Sequence, residues 1–266
     1  MLTSLALGLA VGLILALTGA GGGILAVPLL MFGTHIGVAQ AGPIGLMAVG
    51  MAAALGAFLG LRIGVVRYRA ALLVAVTGML FSPAGLWLAH RIDNRWLSVL
   101  FAMTLLYVAF NTFRKARGVQ AGAPEAGPRP PVCVRGADTG RFIWTRPCAR
   151  ALTLSGSIAG LLSGLLGVGG GFVMVPALRR YTDLAMQSAV ATSLAVIALI
   201  SASGVVASAV SGTLAWGIAL PFSAGALVGM LGGRTLSNRL SSAHLNRAFA
   251  SVSVVVALGM IAKALV

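Results

Sequence analysis

The chain alternates long apolar runs with short polar breaks, in the same order twice. In the first half the apolar runs cover about residues 2–17, 24–33, 39–61, 70–89 and 96–113. In the second they cover about 151–166, 171–178, 187–210, 215–233 and 248–266. A membrane-crossing helix needs about 20 apolar residues. The last three runs of each half meet that length, the first is marginal and the second is too short. The pattern predicts an all-α, polytopic membrane protein. Each half would carry a broken, Gly-rich helix hairpin followed by three full transmembrane helices.

The halves are also related in sequence. Residues 19–30 read GAGGGILAVPLL and residues 167–178 read GVGGGFVMVPAL, identical at seven of twelve positions with an offset of 148. Gly12-Leu13 matches Gly160-Leu161 at the same offset. The expected organisation is a first transmembrane repeat over 1–113, a linker over 114–150 and a second repeat over 151–266. The linker contains Pro124, Pro128, Pro130, Pro131 and Pro147 and ten of the 23 charged residues, which reads as a flexible connection.

Positive charge sets the orientation. If the two short runs of each half formed one straight helix, twelve Lys and Arg would fall on the linker face and seven on the other. If they form a hairpin, the division is sixteen against three, with only Arg91, Arg95 and Lys263 opposite the linker. Short cytoplasmic loops collect Lys and Arg, so the hairpin is the better solution. It puts the linker in the cytoplasm, both termini outside, and the two repeats in inverted orientation. Cys133 and Cys148 match no tight metal spacing, and in a cytoplasmic linker they would stay reduced. Trp87, Trp96 and Trp216 bracket the opposite loops, as expected of interfacial tryptophans.

Composition narrows the chemistry. The 266 residues are 59% hydrophobic and 9% charged, with 36 glycines. That excludes a soluble enzyme and a disulfide-stapled secreted domain. The net charge of +15 serves topology, with no aromatic-interleaved basic stripe that would bind nucleic acid. The only acids, Asp93, Glu125, Asp138 and Asp183, fall in expected loops, whereas a cation transporter keeps a carboxylate inside the membrane. Acid–base groups for catalysis are too few, and neither a cofactor nor a metal site is expected. The oligomeric state cannot be read from the sequence.

The glycines divide into two kinds. Gly56, Gly60 and Gly64, Gly156, Gly160 and Gly164, and Gly225, Gly229 and Gly233 are spaced for close helix packing in lipid. Gly19, Gly21, Gly22 and Gly23, and Gly167, Gly169, Gly170 and Gly171, are instead too dense for a continuous helix. Unwound backbone inside a membrane needs protein or a cavity around it. A helix starting after such a segment points free amides and its positive dipole end inward. Two such ends would bind a small anion, the expected partner besides the lipid bilayer. Thr18, Gln40, Ser163, Gln187, Thr192 and Ser193 are candidate polar donors near the turns. Pro28, Pro43, Pro176 and Pro221 are candidate kinks or gating points, with Pro83 a further kink.

GAGGGILAVPLL, GVGGGFVMVPALRRYTDLAMQSAVATSL and the duplicated layout resemble the TauE/SafE sulfite exporter family. In the first half the counterpart of Ala191-Thr192-Ser193-Leu194 is Pro43-Ile44-Gly45-Leu46. The resemblance implies secondary transport of small sulfur oxyanions, sulfite or organosulfonates, by export across a bacterial inner membrane. A passive anion channel, or a carrier of another small anion, is the alternative.

Overall fold

A computed structural model describes residues 2–120, 132–133, 145–237 and 242–265. Among these, the first half forms α1 (Leu2–Thr18), α2 (Ala26–Thr34), α3 (Val38–Arg62), α4 (Tyr68–Arg91) and α5 (Asn94–Gln120). The second forms α6 (Arg146–Leu166), α7 (Gly171–Tyr181), α8 (Met186–Val210), α9 (Trp216–Ser237) and α10 (Ser242–Leu265). The all-α class follows from the hydropathy: in lipid a helix satisfies its own backbone groups. Most of the linker, with Pro124, Pro128, Pro130 and Pro131, lies outside the described residues.

Both short-run pairs are hairpins. A Cβ at Gly33 of α2 would meet Leu7 of α1, and one at Gly22 would lie 2.7 Å from the Leu15 backbone. The chain therefore doubles back after α1. In the second half, Gly170 abuts Ala159 of α6 and the end of α7 returns to the start of α6. There Cys133 N donates to Tyr181 O at 2.9 Å, and Cys133 is disulfide-bonded to Cys148 with the Cα atoms 5.0 Å apart. The reduced state expected for these cysteines is not the one found. Fourteen intervening residues did not reveal that a strand-like contact between Cys133 and Thr182 sets one thiol against the first turn of α6.

Among the described residues six helices are long and apolar enough to cross a membrane: Val38–Arg62, Tyr68–Arg91, Asn94–Arg114, Arg146–Leu166, Met186–Val210 and Trp216–Gly233. The set includes α6, which the sequence assigned to a hairpin. Hydropathy starts that run at 151, but the helix begins at Arg146, where Thr145 Oγ1 accepts from Cys148 N at 3.3 Å and Pro147 sits in the first turn.

Small residues set the packing. Gly8 and Gly12 of α1 lie against the carbonyls of Phe222 and Ala226, and Gly225 and Gly229 of α9 against those of Leu5 and Leu9. The register shows the two helices running parallel. Gly156, Gly160 and Gly164 of α6 fit α4 at Val74, Gly78 and Ser82 in the same parallel sense. With no Cβ between them, backbones approach closely and gain dispersion contacts that the hydrophobic effect cannot supply in lipid. Gly64 alone leaves its expected stripe: it follows the end of α3 at φ +75°.

At the centre, α3 and α8 cross antiparallel, Gly50 against Ser201, Gly56 against Leu194 and Gly60 against Ala191. The principal pairings α1–α9, α4–α6, α3–α8 and α5–α10 are unchanged when the halves are exchanged at the 148-residue offset. Asn94 Oδ1 accepts from Val38 N at 2.8 Å and so joins the loops before α3 and before α5. Arg67 N donates to Thr192 Oγ1 at 3.1 Å and joins the α3–α4 loop to the start of α8. Arg62, Arg67, Arg69, Arg146, Arg150, Arg179 and Arg180 therefore end on one face. Outward-facing Leu80, Tyr107, Trp87 and Trp96 are exposed, as a lipid-facing belt requires.

Candidate functional site

The two glycine segments meet beside the α3–α8 crossing, but they differ in conformation. The first, Gly19–Leu25, is a 3-10 helix. It continues from Thr18, which holds helical φ and ψ, and ends with Ala26 N donating to Gly23 O. The expected unwinding at Gly19, Gly21, Gly22 and Gly23 is therefore replaced by a tighter helix whose i→i+3 bonds use its amides.

The second segment is an open turn. Gly167, Gly169 and Gly170 all have φ near +70°, at +71°, +77° and +71°. An L-side chain is strained there. Gly167 N donates to Ser163 O at 2.8 Å, which closes α6. Gly170 O receives Val173 N and Met174 N, which opens α7. The amides of Gly169 and Gly170 have no backbone acceptor among the described residues. Residues 163–171 are all buried. A buried amide without an acceptor costs about 1–3 kcal/mol, and it stands here beside the positive end of the α7 dipole.

The surroundings are close on every side. A Cβ at Gly169 would lie 2.7 Å from Ile197 Cγ2, 3.0 Å from Ser201 Oγ and 3.5 Å from Val49 Cγ1. One at Gly23 would lie 2.9 Å from Val49 and 3.2 Å from Val168 O, and one at Gly45 would lie 2.9 Å from Gly167 O. The second turn thus touches α3, α8 and the first glycine segment.

The other candidate residues disperse. Thr18 borders the first segment, and its Oγ1 donates to Ile14 O at 2.7 Å. Ser163 is buried four residues before Gly167, with no partner for its hydroxyl. Gln40 and Gln187 are exposed at the starts of α3 and α8, so neither amide lines the turn. Thr192 is buried, but its hydroxyl oxygen anchors Arg67 N. It lies five to nine residues before Ile197 and Ser201, roughly 7–14 Å along the helix from the glycine turn. Ser193, beside it, has a buried unpartnered hydroxyl. Pro28 and Pro43 are buried inside α2 and α3, and Pro176 and Pro221 half-buried inside α7 and α9.

Sequence reasoning missed Ser82, Ser201 and Ser223, whose buried hydroxyls also lack a partner. Their spacing carries no motif, and only the crossing of α8 over the turn singles out Ser201. Among the described residues every buried polar side chain is a serine or threonine.

The comparisons agree with this architecture. The model of the sulfite exporter TauE/SafE family matches residues 4–260. A probable membrane transporter protein of Xylella fastidiosa (strain Temecula1) is 30% identical, with 94% of this chain and 91% of the relative aligned. Probable membrane transporter protein YunE of Bacillus subtilis is 26% identical over 89% of this chain and 88% of its own length. Probable membrane transporter protein MJ0441 of Methanocaldococcus jannaschii is 29% identical over 75% and 68%. No solved structure matches. Duplicated layout, central glycine segments and near full-length match together place the chain in the sulfite exporter TauE/SafE family.

Proposed function

We propose that this multi-pass membrane transporter carries small sulfur-containing anions, sulfite or organosulfonates, by alternating access between two inverted repeats. One observation carries the proposal: the buried Gly167–Gly170 turn, with free amides at Gly169 and Gly170 at the positive end of α7. Preorganised backbone donors hold an oxyanion without placing a fixed charge in the membrane. The buried hydroxyl of Ser163 supplements them. The substrate class follows the family's description as sulfite exporters.

The antiparallel crossing of α3 and α8 and the exchangeable packing support the inverted arrangement. The turn is buried from both sides, an occluded intermediate, and access would come from each hairpin moving against α3 and α8 in turn. Seven arginines on one face support a cytoplasmic linker, termini outside and an inner-membrane location. The substrate leaves the cell by export down its gradient.

Counterflow of radiolabelled sulfite in proteoliposomes tests this. The expected result is saturable exchange, competed by sulfoacetate and taurine but not by chloride. Non-saturating ohmic currents would favour a passive channel at the same turn, and exchange competed equally by chloride would remove the sulfur-oxyanion assignment.

A further inference from the structure

Some buried hydroxyls in this fold satisfy themselves by donating to the preceding helical turn, while those of Ser82, Ser163, Ser193, Ser201 and Ser223 have no partner. Ser155 Oγ donates to Ala151 O at 2.7 Å, Ser208 Oγ to Gly204 O at 2.8 Å and Ser253 Oγ to Phe249 O at 2.8 Å. Ser201 does not. It is fully buried, its Oγ has no partner, and it faces Gly169, 3.0 Å from where a Cβ would stand. One turn along α8, Ser82 Oγ reaches the flank of Gly204 at 3.3 Å from its Cβ position, again buried and unpartnered.

The exchange of halves shows what is special about these positions. The packing preserves the 148-residue offset: Gly12 meets Ala226 as Gly160 meets Gly78. At that offset Ser201 corresponds to Ala53, Ser82 to Met230 and Ser163 to Leu15. All three unpartnered hydroxyls therefore have apolar residues as their counterparts at that offset. The backbone follows the same division, with free amides at Gly169 and Gly170 and a 3-10 helix at Gly19–Leu25.

We propose that the substrate site is one-sided. The anion is held by the second-half turn alone, and Ser201 is a substrate-binding residue whose hydroxyl donates to the oxyanion that the Gly169 and Gly170 amides hold. At the turn itself the first half supplies an apolar wall through Val49 and the 3-10 segment. This rests on the anion-transport function proposed above and adds the side chain that determines affinity.

The test is sulfite counterflow with the full chain in proteoliposomes, comparing wild type, Ser201→Ala and the exchange-related Ala53→Ser. Thermal unfolding in detergent verifies that each variant is folded. Ser201→Ala is expected to raise the KM for sulfite about tenfold, the effect of one hydrogen bond to a charged group, with the maximal rate within about twofold. Ala53→Ser is expected to leave the KM unchanged. A wild-type KM in folded Ser201→Ala overturns the role of Ser201 while leaving anion transport in place. An equal change in KM from Ala53→Ser overturns the one-sided site. If wild type exchanges no sulfite, the transport function itself fails, a result distinct from both.

Discussion

Gly170 shows how local geometry decides which substitution is informative. A valine at this position would remove a candidate anion-binding glycine, but Gly170 has φ +71° and its Cβ would lie 2.6 Å from Ala159 O. Gly170→Val is therefore expected to abolish folding of the α6–α7 hairpin, read as loss of the monodisperse peak in detergent, rather than to yield a folded, non-binding protein. Thr192 shows the opposite case. Its Oγ1 fixes the α3–α4 loop through Arg67 N, so Thr192→Val should destabilise the protein by about 1 kcal/mol with an unchanged KM for sulfite. A raised KM at unchanged stability would return Thr192 to the substrate site. Residue type and spacing singled out the glycines, because such density disfavours a helix, although Gly19–Leu25 still forms a 3-10 helix. They did not identify Ser201, because a lone serine on an apolar helix carries no signal until the crossing partner is known.

At the level of elements, the apolar runs marked nearly every helix, and the charge asymmetry identified the hairpins. Helix ends were less legible, since α6 is started by the Thr145 cap rather than by its first apolar residue. The different fates of the glycine segments were invisible for a related reason. GAGG and GVGG differ by one side chain, and the choice between a 3-10 helix and an open turn depends on what packs there. The disulfide bears on the second hairpin, whose open end it closes by tying Cys133, held at Tyr181, to the first turn of α6. The topology proposed above puts that end in the cytoplasm, where thiols are kept reduced. The pair is therefore expected to be a dithiol in cells and to bridge on oxidation, because the Cα atoms are already within bonding range at 5.0 Å. Maleimide-polymer labelling of freshly quenched cells, with and without an added oxidant, measures this. Labelled thiols that disappear on oxidation are the expected result. A bridge already complete in quenched cells would place the linker on the oxidising side and reverse the topology.

Across the whole molecule, the same packing scheme serves both halves, while the open glycine turn occurs in only one. Exchange of the halves preserves which helices touch and the small residues that let them touch, and it places two glycine segments against each other between α3 and α8. It does not preserve the free amides of Gly169 and Gly170 or the Ser201 hydroxyl that faces them. Substituting the close contacts that both halves share should therefore affect stability, not selectivity. Gly160→Val, facing the Gly78 backbone, and Gly12→Val, facing Ala226, should each lower the unfolding temperature or prevent folding. The most direct measurement is an experimental structure with selenite, the heavier congener of sulfite, located by its anomalous signal. A single peak within hydrogen-bond distance of the Gly169 and Gly170 amides and Ser201 Oγ is the expected result. A peak at the Gly19–Leu25 segment, two exchange-related peaks, or a peak away from both glycine segments would contradict it.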